Sequence, residues 1–311
     1  MRILIVSQQF KPIVGGYERA AERLAVELAA QGHEVTVLTE RRNRKWPAHE
    51  ELDGVVVRRL WCIHKRRWHM ATSLVSFATF LLLHGRRFQV FHIQQYGTHA
   101  ALVVAVARIL SKPTILRTTS TRSGGIGQAL GGKSPVARLV AALHRKVDAC
   151  VVTTSWALDE VLRFGFPRGR IRLIPNGIDT GEMKPSEGAR SDIRRRLLRS
   201  PDVVLAVYCG RLDEAKNPLG LVRAWQYVVS QVPTATLAMV GDGPQRGTVQ
   251  QLVDKEGLGE HVILVGEQAA VLPWYQAADL FVLSSHREGL SNSLLEAMSC
   301  GLSVVSTEVS G

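Results

Sequence analysis

Cysteine is scarce in this chain of 311 residues: Cys62, Cys150, Cys209 and Cys300 stand far apart, and none belongs to a C-x-x-C pair. That spacing excludes a disulfide framework and offers no metal-ligand pattern, so buried free thiols in a reducing compartment are expected. Long apolar runs are missing too. The longest, Met70 to Leu83, is too short and too rich in hydroxyls to cross a bilayer. Met1-Arg2-Ile3-Leu4-Ile5-Val6-Ser7 carries one charge and then reads as a strand, without a leader-cleavage pattern. The expected location is cytoplasmic, or peripheral on the inner face of a membrane. No G-x-G-x-x-G follows the first strand, because Gly15-Gly16-Tyr17-Glu18-Arg19-Ala20 breaks the spacing, and NAD is disfavoured. A nucleic-acid-binding motif is absent as well, so no nucleic-acid partner is expected.

What is present is apolar content, 46%, enough for a core in each of two domains of ordinary size. The chain is also basic, with a formal net charge of +12. Cations crowd at Arg41, Arg42, Arg44 and Lys45, at Lys65 to Arg67, at Arg86 and Arg87, and at Arg194 to Arg196. Trp46, Trp61 and Trp68 lie beside the first two clusters. Cations with tryptophan suit an anionic bilayer surface; solvated charge on scattered faces is the other reading.

Short apolar runs alternate with helical patterns along the whole chain. Strands are expected at Ile3–Val6, Val35–Leu38, Val55–Leu60, Val90–Ile93, Thr114–Leu116, Cys150–Val152 and Ile171–Ile174. Helices are expected at Tyr17–Ala30, Ala71–Leu83, His99–Leu110, Val136–Val147 and Trp156–Phe164. This is the pattern of an α/β domain, a parallel sheet covered on both faces. Pro175-Asn176-Gly177-Ile178-Asp179 is a turn cluster, and the chain then turns polar and basic. The expected division is a Rossmann-like domain over 1–178, a linker over 179–201 with a short helix at Asp192–Leu198, and a second Rossmann-like domain over 202–311. The second domain restarts the alternation: strands Val203–Cys209, Thr236–Val240 and Val262–Val265, and helices Pro218–Val229, Gln245–Glu256 and Leu272–Ala277.

The densest chemistry lies between Ser284 and Thr307. A buried strand, Asp279–Leu283, leads in, and another, Leu302–Ser306, leads out. Between them a helix is expected from Ser291 to Met298, capped by Ser291 or Asn292. Glu288 precedes that helix and Glu296 lies eight positions on, inside it. The N–H groups from Gly289 through Leu290, Ser291 and Asn292 to Ser293 favour an anion at the helix N-terminus. Gly210-Arg211-Leu212 and Lys216 follow another strand, and a guanidinium fork with a mobile ammonium suits a diphosphate.

Glu288 and Glu296, set in Arg-Glu-Gly-Leu-Ser-Asn-Ser-Leu-Leu-Glu-Ala-Met-Ser-Cys-Gly, resemble the nucleotide-sugar site of the retaining glycosyltransferases of family 4 (group 1). Those enzymes have the GT-B fold, two Rossmann-like domains whose parallel sheets face a cleft. The resemblance implies that Arg211 and Lys216 hold the donor diphosphate and that Glu296 accepts the ribose hydroxyls. Glu288 either contacts the donor sugar or faces its reacting carbon. Gly241-Asp242-Gly243-Pro244 resembles the family's G-x-G-P turn at the base and ribose, although Asp242 fits a plain turn equally. Gly15-Gly16 matches glycines that approach donor phosphates or acceptor; alone, it fits tight strand-to-helix packing as well. Asn176 and Asp179 match a junction element with a structural job. The family's usual His after the strand at Thr114–Leu116 is missing, and Thr119 and Ser120 stand there as hydroxyl partners for sugar or acceptor. His92 and His99 read as structural. The resemblance also implies further residues after Gly311 that complete the second sheet.

The resulting expectation is a retaining hexosyltransferase that uses a UDP- or GDP-linked sugar and needs no metal or other cofactor. It would act on a glycan or lipid-linked acceptor in cell-surface polysaccharide or glycolipid synthesis, at an anionic membrane surface. A non-catalytic nucleotide-sugar binder or scaffold of the same fold is the alternative.

Overall fold

The computed structural model describes residues 1–13, 15–118, 134–197 and 203–309. The chain forms two compact units, Met1–Asn176 and Gly177–Gly311. Thr119 and Ser120 lie outside the described residues.

The first unit runs β1 (Arg2–Val6), α1 (Gly16–Ala30), β2 (Glu34–Glu40), β3 (His49–Leu52), β4 (Val55–Leu60), α2 (Arg66–His84), β5 (Val90–Ile93), α3 (Thr98–Ile109), β6 (Thr114–Thr118), α4 (Pro135–His144), β7 (Ala149–Val152), α5 (Ser155–Arg163) and β8 (Ile171–Leu173). The strands lie in the order β3-β4-β2-β1-β5-β6-β7-β8. All pairs are parallel except β3 with β4. Apolar residues at successive positions of β1 make this arrangement necessary. Ile3 and Ile5 point to one face, against Ala21 and Ala25 of α1, and Leu4 and Val6 to the other, against Phe77 and Leu81 of α2.

Local chemistry sets the ends. Thr154 caps α5 by accepting from the Ala157 N–H at 3.1 Å, and Ser134 caps α4 by accepting from the Ala137 N–H at 3.1 Å. Two elements depart from expectation. β3 is the polar run His-Glu-Glu-Leu, which shows no apolar alternation; it forms because Asp53 and Gly54, both at positive φ, make the tight turn back onto β4. Helix α2 begins five residues earlier than its apolar pattern, since Arg66 to Met70 lack that pattern yet continue the helix.

The second unit runs α6 (Glu187–Leu197), β9 (Leu205–Cys209), α7 (Pro218–Gln231), β10 (Thr236–Val240), α8 (Arg246–Lys255), β11 (Val262–Gly266), α9 (Leu272–Ala277), β12 (Leu280–Leu283), α10 (Asn292–Ser299) and β13 (Ser303–Ser306). Its strand order is β11-β10-β9-β12-β13, all parallel. Alternate residues again feed two cores, Leu205 and Val207 with Phe281 on one side, Ala206 and Tyr208 with Leu237 and Met239 on the other. Helix α6 lies in the stretch read as linker, and it is fastened to this unit through Asp279. Arg194 Nη1 donates to Asp279 Oδ2 at 3.0 Å, the Leu205 N–H donates to the same oxygen at 2.7 Å, and Arg190 pairs with Oδ1. Burial raises the Asp279 pKa, but these donors outweigh it and hold the carboxyl below its ordinary value.

The first unit buries three neutral imidazoles. Burial, and then the charge of Arg117, lowers the His92 pKa from 6.5 to about 4. Burial also lowers His99, against the pull of Glu40, and His144. The unfolded chain takes up these protons near pH 6.5 while the folded chain refuses them. Stability is therefore complete above pH 6.5 and declines as pH falls toward about 4, with His92 contributing a loss on the order of 3 kcal/mol. Urea unfolding at pH 7 and pH 4.5 should show this decline, and His92→Gln should lessen it.

Candidate active site

In the second unit the strand order reverses at β9, whose neighbours are β10 and β12. The loops after β9 and β12 therefore emerge side by side at the carboxyl edge, where ligands bind in such sheets. Hydrogen bonds join them: the His286 N–H donates to the Ala215 carbonyl at 2.9 Å, and the Ser284 hydroxyl donates to the Lys216 carbonyl at 3.0 Å. This brings Lys216 Nζ onto Glu288 Oε2, an ion pair between residues 72 apart in sequence. Ser285 Oγ donates to the same carboxylate oxygen at 3.3 Å. The pair is three-quarters or more shielded, with side-chain exposures of 24% and 15%, so its charges act with less solvent screening than a surface pair would.

The loop carrying Lys216 is built from its own caps. Asp213 accepts from the Lys216 N–H at 3.1 Å and starts a 3-10 turn, Glu214–Lys216. Asn217, in the left-handed conformation, then caps α7 by accepting from the Gly220 N–H at 3.1 Å. Arg211 does not join Lys216 and Glu288 here. Its Nε and Nη2 both reach Asp213 Oδ2 at 2.7 Å, and its side chain is 71% exposed.

Glu288 leads through Gly289 and Leu290 into α10. Ser291 caps that helix, accepting from the Leu294 N–H at 3.4 Å, while Asn292 is its first residue. Glu296, one turn further, is buried and accepts from the Tyr275 hydroxyl at 3.1 Å. Burial, then the neighbouring Cys209 and Glu296, keeps Tyr275 protonated far above its usual range, so it serves as a donor.

Gly241 and Gly243 meet the chain's own backbone. A Cβ on Gly241, at φ +138°, would lie 2.0 Å from the Gly210 carbonyl oxygen, and one on Gly243 would lie 2.5 Å from that of Leu212. The Leu212 N–H donates to Asp242 O at 2.9 Å across this contact. These glycines let the loop after β10 press against the loop that bears Arg211. In the first unit, Gly15 caps α1 with extended backbone, and the Glu18 carboxylate folds back so that a Cβ there would lie 2.2 Å from Oε2. Gly16 has nothing within 4 Å of its Cβ position. A carboxylate of the helix itself thus stands at this N-terminus, where negative charge is favoured.

Sequence reasoning missed Asp213, Asn217, Ser285 and Tyr275. Asp213 and Asn217 carry the ordinary signature of capping residues. Tyr275 and Ser285 carry no signal short of the folded chain, because each acts on a side chain that only folding brings to it.

Residues 14–182 match the family model Glycosyltransferase Family 4, and residues 204–311 match Glycosyl transferases group 1. The chain is 29% identical to the GDP-mannose-dependent alpha-(1-6)-phosphatidylinositol monomannoside mannosyltransferase of Mycolicibacterium smegmatis, over 99% of this chain and 81% of that one. It is 24% identical to the alpha-monoglucosyldiacylglycerol synthase of Acholeplasma laidlawii, over 98% of this chain and 80% of that one. The crystal structure of Anabaena HepE with UDP-glucose superposes with a TM-score of 0.79 at 18% identity, covering 100% of this chain and 81% of that one, a likeness of fold. Two Rossmann-like units carrying these sequences define a GT-B sugar transferase. The chain belongs to glycosyltransferase family 4.

Backbone contact makes the glycine geometry testable. Gly241→Ala should cost about 1–3 kcal/mol from the positive φ alone, and more from the clash with Gly210. Gly247→Ala, in α8 with nothing within 4 Å, should be neutral or stabilising by up to about 1 kcal/mol. Thermal melts of the two variants check the contrast.

Proposed function

We propose that this enzyme moves a sugar from a UDP- or GDP-linked donor to a glycan or lipid-linked acceptor, with retention of configuration and without a catalytic metal. The observation that carries the reading is the shielded Lys216–Glu288 pair beside the Ser291-capped start of α10. An ammonium, a nearby guanidinium and a helix N-terminus suit a diphosphate, and they supply its counter-charge without a divalent ion. HepE was crystallised with UDP-glucose, and the mycobacterial relative is named for GDP-mannose, which supports a nucleoside-diphosphate sugar here.

In this reading Arg211 and Lys216 offset charge growing on the diphosphate as the bond from the anomeric carbon to the phosphate oxygen breaks. The bonding pair leaves with the diphosphate. The acceptor oxygen bonds the same face of that carbon, and its proton passes to the departing phosphate oxygen. Glu288, held by Lys216 and Ser285, orients the donor sugar; Glu296, fixed by Tyr275, accepts from the ribose. The N–H groups from Gly289 to Asn292 border the phosphates, while Gly15 and Gly16 serve the phosphates or the acceptor, and Thr119 and Ser120 serve sugar or acceptor hydroxyls. A metal-free thermal-shift panel with UDP, GDP and ADP tests this. One nucleotide should raise the parent's melting temperature by mass action and raise that of Lys216→Ala less. Glu288→Ala should keep binding and lose turnover. No shift with any nucleotide would sink the donor reading.

The acceptor surface is proposed to be an anionic membrane. No helix among the described residues is long and apolar enough to cross a membrane. Helix α2 nonetheless exposes Trp68, Val75, Leu82 and Leu83, spaced along its length, with Trp61 exposed just before it. Lys65 and Arg67 are exposed at its start, so apolar and cationic groups share this end of the helix. The two relatives named for lipid products or acceptors support the same reading. The chain should sediment with phosphatidylglycerol vesicles in low salt and much less in high salt, and Trp68→Ala should weaken this. Equal binding to phosphatidylcholine vesicles would contradict it.

A further inference from the structure

The segment joining β4 to α2 holds a cluster that neither the donor site nor the membrane face uses. Cys62, His64 and His69 each offer one ligand atom, and these atoms all lie within 4.8 Å of one another. In sequence this is C-x-H followed, after four residues, by H. Cys62 and His64 follow β4, and His69 sits in the first turn of α2.

We infer that Cys62, His64 and His69 bind a divalent ion of the zinc type that clamps the segment after β4 to the start of α2. A thiolate with two imidazoles is a ligand set for zinc and its close neighbours rather than for calcium or magnesium, which prefer oxygen. Three protein ligands leave one tetrahedral position to water.

The surroundings meet the second requirement of such a site, outer partners that orient each ring. The His64 Nε2 lies 3.1 Å from the Arg41 carbonyl oxygen, which can only accept, so Nε2 carries the proton and the lone pair sits on Nδ1. The His69 Nε2 lies 3.3 Å from Glu40 Oε2, a carboxylate near enough to orient the ring. Metal-bound histidines characteristically donate their other N–H to a carboxylate or a backbone carbonyl. Glu40 is itself held: its side chain is 1% exposed, Ser73 Oγ donates to Oε1 at 2.7 Å, His99 Nε2 lies 3.6 Å from Oε1, and Arg42 Nε lies 3.3 Å from Oε2. The thiolate and Glu40 offset the charge of the ion, with Arg42 opposing them beside Glu40. On metal uptake the sulfur–metal bond forms and the thiol proton leaves to solvent. The ion takes no part in sugar transfer, whose proposed donor groups all lie in the second unit.

Cobalt(II) titration of the chelator-treated 311-residue chain tests the site. A thiolate-to-cobalt band in the near ultraviolet, with tetrahedral bands in the visible, should saturate at about one equivalent. Cys62→Ser should abolish the thiolate band, while Cys300→Ser should leave it unchanged. His64→Ala, at an exposed position where folding is insensitive, should weaken cobalt and zinc binding at least about tenfold. Absence of the band, its persistence in Cys62→Ser, or parent-like affinity in a folded His64→Ala chain would each overturn the assignment. Circular dichroism on each variant separates loss of the site from loss of the fold.

Discussion

One ion pair, Lys216 with Glu288, draws on more of the second unit than any other contact described in it. It exists because β9 pairs with β12, Ala206 opposite Leu280 and Val207 opposite Phe281. That pairing in turn requires the reversal of strand order, since β10 and its helix leave β9 on the other side. The flanking loops must then meet closely, which Ala215 achieves by accepting from both the His286 and the Arg287 N–H. Arg211, Ser285 and the start of α10 take their positions from the same arrangement. An ammonium and a carboxylate shielded from water are costly unless paired, so the pair holds these two loops together.

The loop glycines show how a motif and its physical use can differ. Gly241 and Gly243 belong to a turn that resembles one touching the nucleotide. In this fold their missing side chains first serve contact with Gly210 and Leu212. Gly15 is comparable: the group nearest its Cβ position is the carboxylate of Glu18. A glycine in a loop marks a close approach, and only the folded chain says to what.

The two units also divide the chemistry. The second carries compact ionic and capping contacts around α10. The first carries a densely buried polar group, Glu40 with Ser73 and His99, and Gln8 bonded to His99 Nδ1 at 2.7 Å. That network anchors the ends of β1 and β2 to α2 and α3, and the cluster of Cys62, His64 and His69 lies against it. His92 and His99, read from sequence as structural, are buried and held neutral.

Most of the secondary structure was legible in the chain alone. Runs such as Ile-Leu-Ile-Val have no stable home except a strand buried on both faces, and helical periods between them leave a parallel sheet as the solution. The Ser291 cap was legible too, because a capping serine before a helix is a local signal; Glu288, Glu296, Arg211 and Lys216 were picked out by the short motifs they belong to. β3 was not, since its His-Glu-Glu-Leu gains strand structure from the edge of β4 rather than from apolar pattern. The attachment of α6 was not, because Asp279, which holds it, lies 85 residues beyond Arg194. Tyr275 on Glu296 and Lys216 on Glu288 were decided by tertiary structure alone. The sequence determined which groups are available and the local shape around each. Which of them meet was set by strand order and loop pairing, which bring residues distant in the chain to within bonding distance.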